Sequence, residues 1–103
     1  MSEVKIVRMI TGEDVIGKVE WSQQQVTIKK AFVIIPMQQG PGKPVQLMMS
    51  PWMPYAEEDE ITVDDSKVVT IMTPKKDILN SYSANTSSIL TPNRELITET
   101  KLP

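Results

Sequence analysis

Short apolar runs recur every ten to twelve residues between positions 4 and 72, separated by polar, glycine or proline breaks, and helical spacing is nearly absent before Asp77. A chain patterned this way satisfies its backbone by pairing strands, because no segment offers the long apolar stripe that a helical core needs. Val15-Ile16-Gly17-Lys18-Val19-Glu20-Trp21 alternates most cleanly, with Val15, Gly17, Val19 and Trp21 on one face and Lys18 and Glu20 on the other. A glycine inside that strand, Gly17, predicts a sharp bend or a close backbone approach of the kind a barrel corner requires.

The remaining runs fill out one sheet. Residues 4–11 precede the turn Gly12-Glu13-Asp14, and Val26-Thr27-Ile28-Lys29 follows the polar connection at 22–25. Ala31-Phe32-Val33-Ile34-Ile35 reads as buried on both faces and is expected to end at Pro36. A flexible loop over 38–44 leads to a fourth strand at 45–49, which must bend because Pro51 and Pro54 lack ladder donors. Ile61-Thr62-Val63 and the turn Asp64-Asp65-Ser66-Lys67 then lead into a fifth strand, Val68-Val69-Thr70-Ile71-Met72, stopped by Pro74. Residues 77–82 predict a short helix, and the polar stretch 83–103 predicts a partly disordered tail. The expectation is an all-β chain: a five-stranded, strongly bent small barrel over residues 1–76, then a short helix and polar tail over 77–103.

A chain of 103 residues holds one domain. At this size folding buries only roughly 60–65% of the unfolded surface, so association between copies would add useful stability. No run approaches the ~20 apolar residues that span a bilayer, and Met1-Ser2-Glu3-Val4-Lys5 lacks the features of a signal peptide. We therefore expect a cytoplasmic protein with no membrane partner. The absence of cysteine excludes disulfides, thiolate zinc clusters and a thiol nucleophile. The net charge is −2, with six basic against four acidic residues in positions 1–50 and five against nine thereafter. Duplex DNA is excluded as a partner, since phosphate neutralisation needs a strong basic excess.

The chemical candidates are few. Glu57-Glu58-Asp59-Glu60 lacks the spacing and the glycine of a helix-loop-helix calcium loop, so it reads as a solvated segment and no metal is expected. There is no histidine to activate the abundant Ser and Thr hydroxyls, and Gly40-Pro41-Gly42-Lys43 lacks the strand-to-helix context of a phosphate loop. The chain is expected to have no catalytic residues and no cofactor.

In order as well as composition, the residues resemble the Sm and Sm-like (LSm, Hfq-type) family, whose two motifs lie on a five-stranded SH3-like barrel. The first motif is similar to Val7-Arg8-Met9, Gly12-Glu13, Val15-Ile16-Gly17-Lys18-Val19 and Gln23-Gln24-Gln25-Val26-Thr27. The second is similar in spacing to Val63-Asp64-Asp65-Ser66-Lys67-Val68-Val69-Thr70-Ile71. The likeness covers about residues 4–73, and Pro51-Trp52-Met53-Pro54 with Ala56-Glu57-Glu58-Asp59 looks like Sm-like proteins of tailed marine phages (the cyanophage type). That last likeness implies a host cytoplasm.

The resemblance implies a homo-oligomeric ring of five to seven subunits, non-catalytic, built by pairing the fourth strand of one copy with the fifth of the next. Val68, Val69, Thr70, Ile71 and Met72 would supply that pairing strand, which carries no proline or lysine to guard it. Met48, Trp52 and Met53 belong either to the core or to the subunit boundary, with Trp52 the expected anchor. The family's pore loops hold single-stranded RNA, which places Gln24, Gln25, Thr27, Ser66 and Lys67 as candidate RNA contacts. This chain has Thr27, Gln25 and Asp64-Asp65 where the family has asparagine, a residue that is often aromatic, and Arg-Gly, and it has no counterpart of the Lys-His pair of Hfq. The same positions also read as ordinary turn residues. The alternative is therefore a ring that binds protein, or is associated with a virion, and does not bind RNA.

Overall fold

A computed structural model of the chain describes residues 3–87. Strands β1 (Glu3–Met9), β2 (Asp14–Ser22) and β3 (Gln25–Gln38) form an antiparallel meander. They are followed by β4 (Val45–Pro51), β5 (Glu60–Asp64), a single 3-10 turn (Asp65–Lys67), β6 (Val68–Met72) and helix α1 (Lys76–Ser87). The sheet runs in the order β4-β3-β2-β1-β6, with β5 also laid on β3.

Five strands were expected, and six are found because the fourth is split. Both pieces pair with the long β3: β4 against positions 32–38 and β5 against positions 25–29. Pro51 and Pro54 lack the N–H groups that a continuous ladder would need, so the chain leaves the sheet at 52–59 and rejoins it at Glu60. Pro36 does not end β3. Strand β2 reaches only as far as Ile34, so Pro36 has a partner strand on one side alone, where a missing donor is tolerated. The described sheet is open: β6 pairs with β1, and no ladder joins it to β4 or β5.

Alternation places the core. Val7, Val15, Val19, Val26 and Ile28 are almost completely buried in one cluster with Met9, and Ala31, Trp52, Val63, Val68 and Ile71 pack against them. Each buried aliphatic side chain contributes about 1.5–3 kcal/mol. Gly17 belongs to this face, and the approach of β3 there explains its lack of a side chain. A Cβ at position 17 would stand 2.6 Å from Ile28 Cγ2 and 2.8 Å from the Lys29 carbonyl oxygen. The register between β2 and β3 shifts at this point, and Lys30 takes a φ of 52°, so the predicted bend is a bulge in β3 opposite Gly17.

The other face of the sheet, on the side of Ile16 and Phe32, meets α1. Ile16 stands opposite Phe32 on that face and is fully buried. Tyr82 meets Phe32 edge to face, with ring centroids 5.9 Å apart, and its hydroxyl donates to the Lys30 carbonyl at 2.8 Å. Burial pushes the Tyr82 phenol up to about 12. The helix runs on to Ser87, beyond the 77–82 expected. Its Thr86 hydroxyl donates back to the Tyr82 and Ser83 carbonyls, which gives one hydroxyl of this Ser/Thr-rich stretch partners within the helix. The rest of the expected tail, 88–103, lies outside the described residues.

Candidate functional site

Two polar turns meet at one end of the sheet. The β2–β3 turn is tight, with Gln24 at a φ of 64°, a left-handed conformation that long side chains seldom adopt. Its carbonyl accepts a hydrogen bond from the Asp65 amide at 3.0 Å, and Gln25 pairs with Asp64. The second turn is built by Asp64, whose carboxylate accepts from the Ser66 amide at 2.9 Å and caps the 3-10 turn. That bond, with a smaller contribution from Lys67, holds the Asp64 carboxyl below its ordinary range. The turns that sequence placed in separate motifs thus form one surface.

Gln24, Gln25, Ser66 and Lys67 are exposed on that surface. Thr27 is half-buried, and its hydroxyl shares a 3.0 Å hydrogen bond with that of Thr62 on β5. Asp64 and Asp65 lie among these groups, so the surface combines neutral donors and acceptors, one ammonium and two carboxylates.

The candidate contact residues divide by position. On β6, Val68 and Ile71 turn inward onto the core, whereas Val69 and Met72 are about 60% exposed and Thr70 is exposed. Met48 on β4 and Met53 beyond it are exposed. Trp52 instead packs on its own core and donates its indole N–H to Glu13 at 3.3 Å. Thr11 also bonds Glu13, and these contacts hold the Glu13 carboxyl low, Thr11 having the larger effect. The β1–β2 corner is further fixed by Arg8, which grips Asp14 through two hydrogen bonds of 2.7 and 2.9 Å.

Trp21 shares the alternating face of Val15, Gly17 and Val19, yet the structure exposes it at 56%. The described β1–β2 ladder runs as far as Glu3 and Val19, two positions short of Trp21. The available signal was its place as the last apolar residue before the polar turn. Beside it opens a cavity of about 330 Å³ lined by Glu3, Val19, Glu20, Trp21, Ser22 and Thr27. A larger groove of about 660 Å³ lies where the chain leaves the sheet, between Phe32, Pro51, Met53, Ile61 and the acidic segment. Among the described residues no three acidic, His or Cys side chains converge as a metal site, and no helix is long and apolar enough to cross a membrane.

A family model, the Sm-like domain, matches residues 6–83. The chain belongs to the Sm-like domain family. The match takes in both motifs, the split fourth strand and most of α1, so the helix lies within the Sm-like unit. No curated protein matches the sequence.

Proposed function

We propose that this Sm-like protein is a non-catalytic scaffold that closes into a homo-oligomeric ring of five to seven copies and binds single-stranded RNA on its joined polar turns. Sm-like proteins generally form rings and bind RNA. The observation that carries the reading here is the hydrogen bond from the Asp65 amide to the Gln24 carbonyl, which makes one surface of both motifs. Repeated around a ring, that surface presents one Lys67 per copy, and weak contacts add through multivalency. Asp64 and Asp65 oppose phosphate, so affinity is modest and falls with salt. The subunit contact runs through β6, an uncharged edge strand with exposed Val69 and Met72. The likeness to phage proteins supports a place in the host cytoplasm.

Native mass measurement and titration with short oligo-U and oligo-A at low salt test both halves. A ring mass with binding weakened by Lys67→Glu is expected. A lone subunit at micromolar concentration refutes the ring, and no binding tighter than millimolar refutes the RNA surface. A second protein band on purification, without nucleic-acid absorbance, would favour the protein-binding alternative.

A further inference from the structure

We infer that the subunit contact is locked in one register by an ionic clasp, in which Lys75 and Lys76 at the foot of α1 in one copy meet Glu57 and Glu58, just ahead of β5, in the next. The inference rests on the ring reading above and deepens it, since it names the orientation of the two edge strands and the side chains that hold them.

Strands β5 and β6 each have a partner on one side only, β3 and β1, so each offers a free edge. Both are five residues long. Antiparallel pairing over that length sets Met72 across from Glu60 and Val68 across from Asp64. Half-buried Ile71 then stands beside half-buried Ile61, and exposed Thr70 beside exposed Thr62. Val63 meets Val69, an apolar side chain that is 61% exposed in the single copy. A slip of one residue would set Ile71 against Thr62 and lose the match.

Parallel pairing over the same five residues also matches apolar with apolar, and charge distinguishes the two orientations. The ion pairs within the chain take up Lys5, Arg8, Lys29 and Lys30. Among the described residues Lys67, Lys75 and Lys76, which bracket β6, have no ion-pair partner, nor have Glu57, Glu58 and Asp65, which bracket β5. Carried past the strand ends, the antiparallel register brings Lys75 level with Glu57 and Lys67 level with Asp65, opposite charges at both ends. The parallel register brings Lys75 level with Lys67, and Lys67 level with Asp59, which Lys30 already holds at 3.7 Å. Like charges placed side by side oppose it. All four clasp residues are exposed, and Thr73, bonded to Lys5 of β1 at 2.8 Å, keeps the chain along the sheet edge one residue past β6.

The test uses the full-length protein at low salt, with native mass followed over a dilution series and circular dichroism as the folding control. Lys75→Glu with Lys76→Glu, and separately Glu57→Lys with Glu58→Lys, should each raise the concentration of half-assembly by roughly three- to thirty-fold. Glutamate is favourable in the first turn of a helix, so α1 should form in the first of these variants. Lys75→Ala with Lys76→Ala removes the attraction without adding repulsion and should act in the same direction, more weakly. Exchanging all four residues at once should restore assembly, because the charges are then reversed yet still opposed. Rings that assemble at unchanged concentration in either charge-reversed double variant would overturn the clasp and leave the ring reading intact. Weakened assembly that the fourfold exchange does not repair would overturn it equally. A lone subunit for the natural sequence at micromolar concentration would sink both.

Discussion

Replacing Gly17 by alanine adds one methyl group where β2 and β3 come closest. The new Cβ would lie 2.6 Å from Ile28 Cγ2 and 2.8 Å from the Lys29 carbonyl oxygen, whereas carbon contacts are comfortable at about 3.5–4.0 Å. Neither neighbour yields easily: Ile28 is fully buried in the core, and the Lys29 oxygen belongs to the β3 backbone at the bulge. Relief therefore requires the strands to part by roughly 1 Å, and overpacking of this sort costs about 1–3 kcal/mol, with rigid neighbours favouring the upper end. For a domain of this size about 3 kcal/mol corresponds to a fall in Tm of roughly 12–24 °C. Circular dichroism melts at several protein concentrations would measure it, because the proposed assembly would contribute its own stabilisation. Ile28→Ala removes one of the two clashes, so the double variant should lose less than the sum of the singles. A fall below about 4 °C, or strict additivity with Ile28→Ala, would refute the account of why glycine stands here.

Three further outcomes are expected. Tyr82→Phe deletes the 2.8 Å bond to the Lys30 carbonyl and leaves that oxygen short of a donor beneath the helix, costing about 1–2 kcal/mol in urea unfolding; a neutral result would show that α1 does not depend on it. Arg8 holds the folded-state Asp14 carboxyl below its ordinary 3.8, so this pair stabilises above that pH and loses its contribution as pH falls through the depressed value. Asp14→Asn should be the less stable protein at pH 7, and the gap should close in acid melts; a gap that widens on acidification contradicts the sign. Val69→Lys combined with Met72→Lys places charge on the exposed flank of β6 while sparing the inward Val68 and Ile71, so native mass should drop to one subunit with the circular dichroism spectrum retained.

How much the sequence disclosed depended on whether a feature was local. Alternation in 15–21 marked the core face, and Gly17 marked the tight approach, because period and glycine report directly on backbone sidedness and space. Splitting of the fourth strand was half legible: Pro51 and Pro54 announced a break, but only pairing with β3 shows that Glu60–Asp64 resumes the same ladder. The places of Trp21 and Trp52 were less legible. Trp21 sits on the apolar period yet is exposed, while Trp52, flanked by prolines, folds back onto Glu13 and the core. Neither fact is carried by neighbours in sequence. The length of α1 was hidden for a similar reason, since its Ser/Thr-rich composition disfavours a helix until Tyr82 anchors it.

An open sheet must do something with its two ends. At one end β6 contributes five residues without proline or charge, and at the other β5 contributes five residues laid on β3. Because the lengths match, β6 of one copy can satisfy β5 of the next without demanding anything of β4, which remains free in the long hairpin it makes with the outer half of β3. On the proposed reading that contact is heterologous, so copies would either close into a ring or grow without limit. The break at 52–59 bears on which occurs, because it ends the available ladder at Glu60 and prevents a neighbouring strand from sliding toward β4. On the proposed reading, the prolines that split the fourth strand therefore help to fix the register between subunits. Restoring continuity there should broaden the distribution of native masses rather than abolish assembly.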